Sequence, residues 1–94
     1  MLPPPSQYGW TNVMYEMHEY QWGGSEAQVR AGSDNQVNDF NNHASWNVPA
    51  FIGEWNDFQY GASTWNYTRS RWDGAGISWA MWAYKTTHWL NPDN

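Results

Sequence analysis

The sequence predicts an α/β fold in which three strands alternate with two helices, βαβαβ, as one parallel sheet. Three observations predict it. Apolar, aromatic-rich runs near residues 12–20, 49–54 and 76–85 have the length and composition of strands. The stretches between them are long enough for crossovers and carry helical spacing, which parallel strands require. Polar and aromatic residues also gather at the C-terminal ends of all three runs: His18 and Tyr20, Glu54 and Trp55, Trp82 and Lys85.

Residues 1–11 open with Pro3-Pro4-Pro5, and consecutive prolines favour an extended lead-in over a helix. The first strand follows. Period-2 pointing puts Met14, Glu16, His18 and Tyr20 on one face, and Val13, Tyr15, Met17 and Glu19 on the other. Residues 21–33 read as loop, from the glycine pair Gly23-Gly24 and the polar run after it. Val37, Phe40 and Ala44 then share a helical face, which predicts a helix over 34–45 capped by Ser33 or Asp34.

The run Val48-Pro49-Ala50-Phe51-Ile52-Gly53-Glu54-Trp55 is a buried strand that ends in a lone carboxylate. Such a carboxylate is costly unless paired or used. After a loop over 56–62, Trp65, Arg69 and Trp72 share a face of a helix over 63–72 that stops at Asp73-Gly74. In the third strand, Ile77, Trp79, Met81 and Ala83 oppose Ser78, Ala80, Trp82 and Tyr84.

Ninety-four residues make one small domain, and without cysteine neither a disulfide nor a zinc–thiolate site supplements its core. The net charge of −5, with only Arg30, Arg69, Arg71 and Lys85 as scattered cations, argues against a nucleic-acid partner. No stretch reaches the ~18 apolar residues of a membrane span, so no membrane partner is expected. Met1-Leu2-Pro3-Pro4-Pro5 lacks the basic start and apolar middle of a signal peptide. Nine tryptophans and six tyrosines supply buried area, and they also offer flat apolar faces on which sugar rings stack. Trp10, Trp46, Trp65, Trp72, Trp79 and Trp89 are assigned to packing.

No metal or other cofactor is expected. His18-Glu19 lacks the second histidine of a zinc-protease motif, because position 22 is Trp22, and His43 and His88 are dispersed. Asn66-Tyr67-Thr68 is a glycosylation sequon, relevant only in a eukaryotic secretory pathway. Glu54 has a plainer reading, a structural carboxylate paired with an arginine. Glu16 reads as an inward polar or solvated side chain rather than as a proton donor.

Four segments together resemble the last part of the catalytic domain of glycoside hydrolase family five, the cellulase-like retaining barrel glycosidases. Residues 12–20, with His18-Glu19-Tyr20, resemble the sixth strand of that (β/α)8 barrel. Residues 48–55, with Ile52-Gly53-Glu54, resemble the seventh. Residues 76–85, with Ser78-Trp79-Ala80-Met81-Trp82, resemble the eighth, and Trp65 to Trp72 resembles the helix between the last two. The resemblance covers nearly the whole chain, so residues 1–94 read as a partial glycosidase catalytic domain equivalent to strands six to eight.

The resemblance implies that Glu54 is the catalytic nucleophile. It implies that His18 and Tyr20 line the site and hydrogen-bond Glu54, and that Trp82 is the platform under the sugar, with Lys85 a polar substrate contact. Trp22 and Trp55 are expected as further substrate-binding walls. A retaining mechanism needs a second carboxyl ~5–5.5 Å from the nucleophile. In the family that residue is a glutamate following an asparagine on the fourth strand, and no Asn-Glu pair occurs here. The expected function is hydrolysis of a β-glucan-type polysaccharide by a partial or minimal barrel, secreted by resemblance. The alternative is a non-catalytic carbohydrate-binding or inert aromatic-rich fragment. An independent tryptophan-rich β-sandwich is a third reading and predicts no helix. The outer strands would be open edges, so a homo-oligomer is expected.

Overall fold

In the computed structural model, which describes residues 3–20, 24–57 and 60–82, the chain is a three-stranded parallel sheet with two helices. The order is β1 (Tyr15–Glu19), α1 (Glu26–Asn42), β2 (Ala50–Trp55), α2 (Gly61–Ala75) and β3 (Ser78–Trp79). β2 lies between β1 and β3, and both pairings are parallel. The alternating βαβαβ order is therefore as the sequence predicts, and the two helices exclude the β-sandwich.

The lead-in differs from expectation. Pro5–Tyr8 forms a 3-10 turn, because the fixed φ of a proline suits a first helical position. Tyr15 donates its hydroxyl proton to the Pro3 carbonyl and ties this turn to the start of β1. β1 begins at Tyr15 rather than at residue 12, where Asn12 takes a positive φ of 55° that no strand residue adopts.

α1 begins eight residues before its expected start. Ser25 caps it: the Ser25 hydroxyl accepts from the Gln28 backbone N–H at 3.3 Å, and the Gln28 side chain accepts from the Ser25 N–H at 2.7 Å. Ser33 and Asp34 are interior helical residues, not caps. The buried stripe is Val29, Ser33 and Val37, spaced by four, and the Ser33 hydroxyl is satisfied by the Arg30 carbonyl at 2.9 Å.

α2 runs past Asp73-Gly74 to Ala75, ending where Gly76 takes a left-handed φ of 73°. Its buried stripe is Thr64, Thr68 and Trp72. The helices are latched through Asp34, which accepts from the Tyr67 hydroxyl at 2.8 Å and from Arg71 Nε at 2.6 Å. Arg30 lies over the Tyr67 ring and donates to Ser63 at 3.0 Å.

Of the ten residues expected for β3, 83–85 lie outside the described residues; the strand is Ser78–Trp79, and its pairing continues, since Ala80 N–H donates to the Ile52 carbonyl and Trp82 N–H to the Trp55 carbonyl. The core joins Val37 of α1, Ala50, Ile52 and Trp55 of β2, Trp72 of α2 and Ile77. Both helices therefore cover the same face of the sheet. Trp55 is at its centre, stacked on Trp65 at 5.3 Å and edge-on to Trp72 at 4.7 Å and Trp79 at 5.4 Å. Trp46 packs against Tyr15 and His43, but Trp10 is 47% exposed and stacks on Tyr8, away from the core, so its assignment to packing is corrected. Trp89 lies outside the described residues.

Candidate active site

The other face of the sheet is open, with neither helix over it among the described residues. Alternation along β1 sends Tyr15, Met17 and Glu19 toward the helices and Glu16, His18 and Tyr20 to the open side, as the sequence indicates. On β2 a strict alternation would put Glu54 on the same side as buried Ile52. It does not, because the register slips: Met17 pairs with Ile52, while His18 pairs with Glu54. Gly53 is the extra, unpaired residue of a β-bulge, an uncommon device between parallel strands. It changes the parity of β2, so Ile52 and Trp55 both face the core while Phe51 and Glu54 face outward.

Glu54 thereby comes between two side chains of β1. Tyr20 donates its hydroxyl proton to Glu54 Oε2 at 3.2 Å, and His18 Nδ1 lies 3.6 Å from the same oxygen. The Glu54 side chain retains 33% exposure, so a solute can reach it from the open face. Burial, then the hydrogen bond to Glu54 and its charge, hold the Tyr20 hydroxyl above its ordinary pKa. Tyr20 is therefore a fixed proton donor at neutral pH. A carboxylate accepting from a phenol and facing an imidazole is held in one orientation, suited to attack on an electrophilic carbon. Among the described residues its partners are Tyr20 and His18, not the arginine of the plainer reading.

Trp82 follows β3 on the same open side and is 59% exposed. Its main chain is clamped at both ends of the residue. The N–H donates to the Trp55 carbonyl at 2.9 Å, and its carbonyl accepts from Asn56 Nδ2 at 2.7 Å. Asn56 was not singled out in the sequence; its place two positions after Glu54, beside the next strand, is visible only once the strands are paired.

Trp55 is corrected as a substrate wall: it is fully buried, on the opposite side of the sheet from Glu54. Trp22 and Lys85 lie outside the described residues.

The helix-covered side holds a second pair of acids at the same end of the sheet. Asp57 is buried and accepts from the Thr68 hydroxyl at 2.7 Å, and Glu19 accepts from the Gln36 amide at 2.6 Å. Burial raises the pKa of both above the ordinary carboxylate range, Glu19 further by the charge of Asp57 and Asp57 against the lowering effect of Thr68. Asp57 fell within the expected loop, yet it lies two residues beyond Trp55 and so on the same buried side. Among the described residues, no group of three His, Cys, Asp or Glu side chains is placed to hold a metal ion. No helix among them is long and apolar enough to cross a membrane.

Comparisons with protein-family models, with curated proteins and with solved structures gave no match for this chain.

Proposed function

We propose that the chain is a retaining β-glycosidase of the endoglucanase-like kind, acting on O-glycosidic bonds of a β-glucan-type polysaccharide as a partial or minimal (β/α)8 barrel. The observation that carries this reading is the contact of Tyr20 and His18 with one oxygen of Glu54, at the C-terminal ends of adjacent parallel strands. In this reading Glu54 attacks the anomeric carbon, the glycosidic C–O bond breaks, and a carboxyl group supplied by another copy of the chain in an oligomer protonates the departing oxygen. Water then cleaves the glycosyl–Glu54 ester, giving up its proton to that same group. Tyr20 and His18 keep the attacking oxygen oriented, and the exposed face of Trp82 stacks on the sugar. Lys85 and Trp22 are proposed as flanking substrate contacts.

Glu54→Gln tests the assignment, since an amide is isosteric but cannot form the ester. Hydrolysis of an aryl β-glycoside falls to background in the variant, and undiminished hydrolysis overturns the reading.

A second reading has its own support. Trp82 at 59%, Tyr8 at 56% and Trp10 at 47% exposure offer aromatic surface to a ligand without needing a proton donor. Such a chain holds β-glucan without cleaving it, and copies self-associate through the outer strands β1 and β3. Titration with a cello-oligosaccharide, followed by tryptophan fluorescence, separates the two: binding with no release of reducing ends favours the second. A single monomer boundary in sedimentation velocity at micromolar concentration excludes self-association.

A further inference from the structure

The open face holds another carboxylate with no task so far. Glu16 sits two residues before His18 on β1, on the same side, and its Oε1 lies 3.4 Å from His18 Nε2. The other ring nitrogen, Nδ1, lies 3.6 Å from Glu54 Oε2. One imidazole therefore stands between two carboxylates, a nitrogen facing each. Room for this comes from Gly53: a Cβ at that position would collide with the Glu16 carboxyl group. The φ of Gly53 is not in the left-handed region, so its lack of a side chain serves the fit of Glu16 rather than the backbone. The bulged residue thus turns Glu54 outward and also leaves the space in which Glu16 reaches His18.

We propose that Glu16 is a positioning residue for Glu54, acting through His18. Glu16, lying against Nε2, fixes the rotation of the His18 ring, so that Nδ1 faces Glu54. Among the described residues, the groups facing His18 are Glu16 on its own strand and Glu54 on β2, with Tyr20 reaching the same Glu54 oxygen. The arginines are engaged elsewhere: Arg30 with Ser63, Arg69 with Asp73, Arg71 with Asp34. Glu16 touches no reacting atom in this scheme and transfers no proton to substrate. The kinetic consequence rests on the reading of Glu54 as nucleophile; the structural link through His18 does not.

Three variants of the full chain test it. Glu16→Gln keeps an acceptor for Nε2–H but removes the charge, Glu16→Ala removes both, and Gly53→Ala leaves Glu16 intact but displaces its carboxyl group. The first readout is the pair of His18 ring nitrogens by 15N NMR at neutral pH. Glu16→Ala and Gly53→Ala should shift them most and Glu16→Gln less, and unchanged resonances in all three overturn the proposal whether or not the protein hydrolyses anything. The second is turnover of an aryl β-glycoside, where kcat should fall about tenfold with KM little changed, in line with the usual cost of losing an orienting partner. Shifted resonances with unchanged kcat overturn the positioning of Glu54. Shifted resonances in the variants of a protein whose wild type shows no hydrolysis support the Glu16–His18 link and instead overturn the glycosidase reading. Should Gly53→Ala fail to fold, the two Glu16 variants decide alone.

Discussion

Glu54 and Trp55 are adjacent in sequence and lie in opposite worlds. Trp55 is fully buried among Trp65, Trp72 and Trp79, with Thr64 and Thr68 filling the helix side. Glu54 faces outward among Glu16, His18 and Tyr20. One side of the sheet is held by area removed from water and by ring geometry; the other carries nearly all the charged chemistry of β1 and β2. The division is not absolute, because Glu19 and Asp57 are acids on the buried side. There they serve as hydrogen-bond acceptors for Gln36 and Thr68 and are held toward their neutral forms. The same residue type is oriented for use on one side and suppressed by burial on the other.

The sharpest way to break this division is to exchange its two residues, with Glu54→Trp and Trp55→Glu in one chain. That places a carboxylate without a partner in the tryptophan cluster and a tryptophan on the open face, so urea unfolding should show a loss of more than about 3 kcal/mol or no cooperative transition. Trp55→Ala leaves the parity intact but opens a cavity, with an expected loss of about 3–5 kcal/mol by the same measurement. Trp55→Phe should cost far less, because the Trp55 indole N–H has no partner among the described residues and its removal leaves no acceptor stranded.

The buried acids give a pH signature. Their folded pKa values are raised above the unfolded ones, so the folded state holds more protons at the lower end of the range. Their stabilising effect is fullest below the unfolded carboxylate pKa, about 4, and is lost as pH rises through the raised values. Glu19→Gln and Asp57→Asn should each flatten this fall in unfolding free energy on going from about pH 4 to pH 7. The smallest expected effect is at the surface: Ser25→Ala removes the α1 cap and should cost about 1 kcal/mol in thermal unfolding, leaving both faces as they are.

The order of elements was legible because apolar runs with β-branched and aromatic residues mark strands directly. The helix limits were less so. In α1 the stripe runs through Ser33, and in α2 through Thr64 and Thr68, so a search for apolar residues at helical spacing misses one of three stripe positions in α1 and two of three in α2. A hydroxyl satisfied within its own helix, or by Asp57, packs as a small residue, and only the tertiary partner reveals that. The Ser25–Gln28 capping box was readable in principle, since serine followed three residues later by glutamine is its signature. Residues His18, Tyr20 and Glu54 were legible as a group from the ends of the strands. The opposite fates of Glu54 and Trp55 were not, because a bulge exists only relative to a neighbouring strand.

Trp82 is held through its main chain: its N–H by the Trp55 carbonyl, its C=O by the Asn56 amide. Neither bond involves the indole. Position 82 is therefore a mounting rather than a fitted part, and the side chain carried there is interchangeable without disturbing what holds it. A tyrosine, histidine or leucine at that place would meet the same solute from the same spot with a different surface. A change at residue 82 therefore alters the surface shown there while leaving the main-chain bonds that hold it in place.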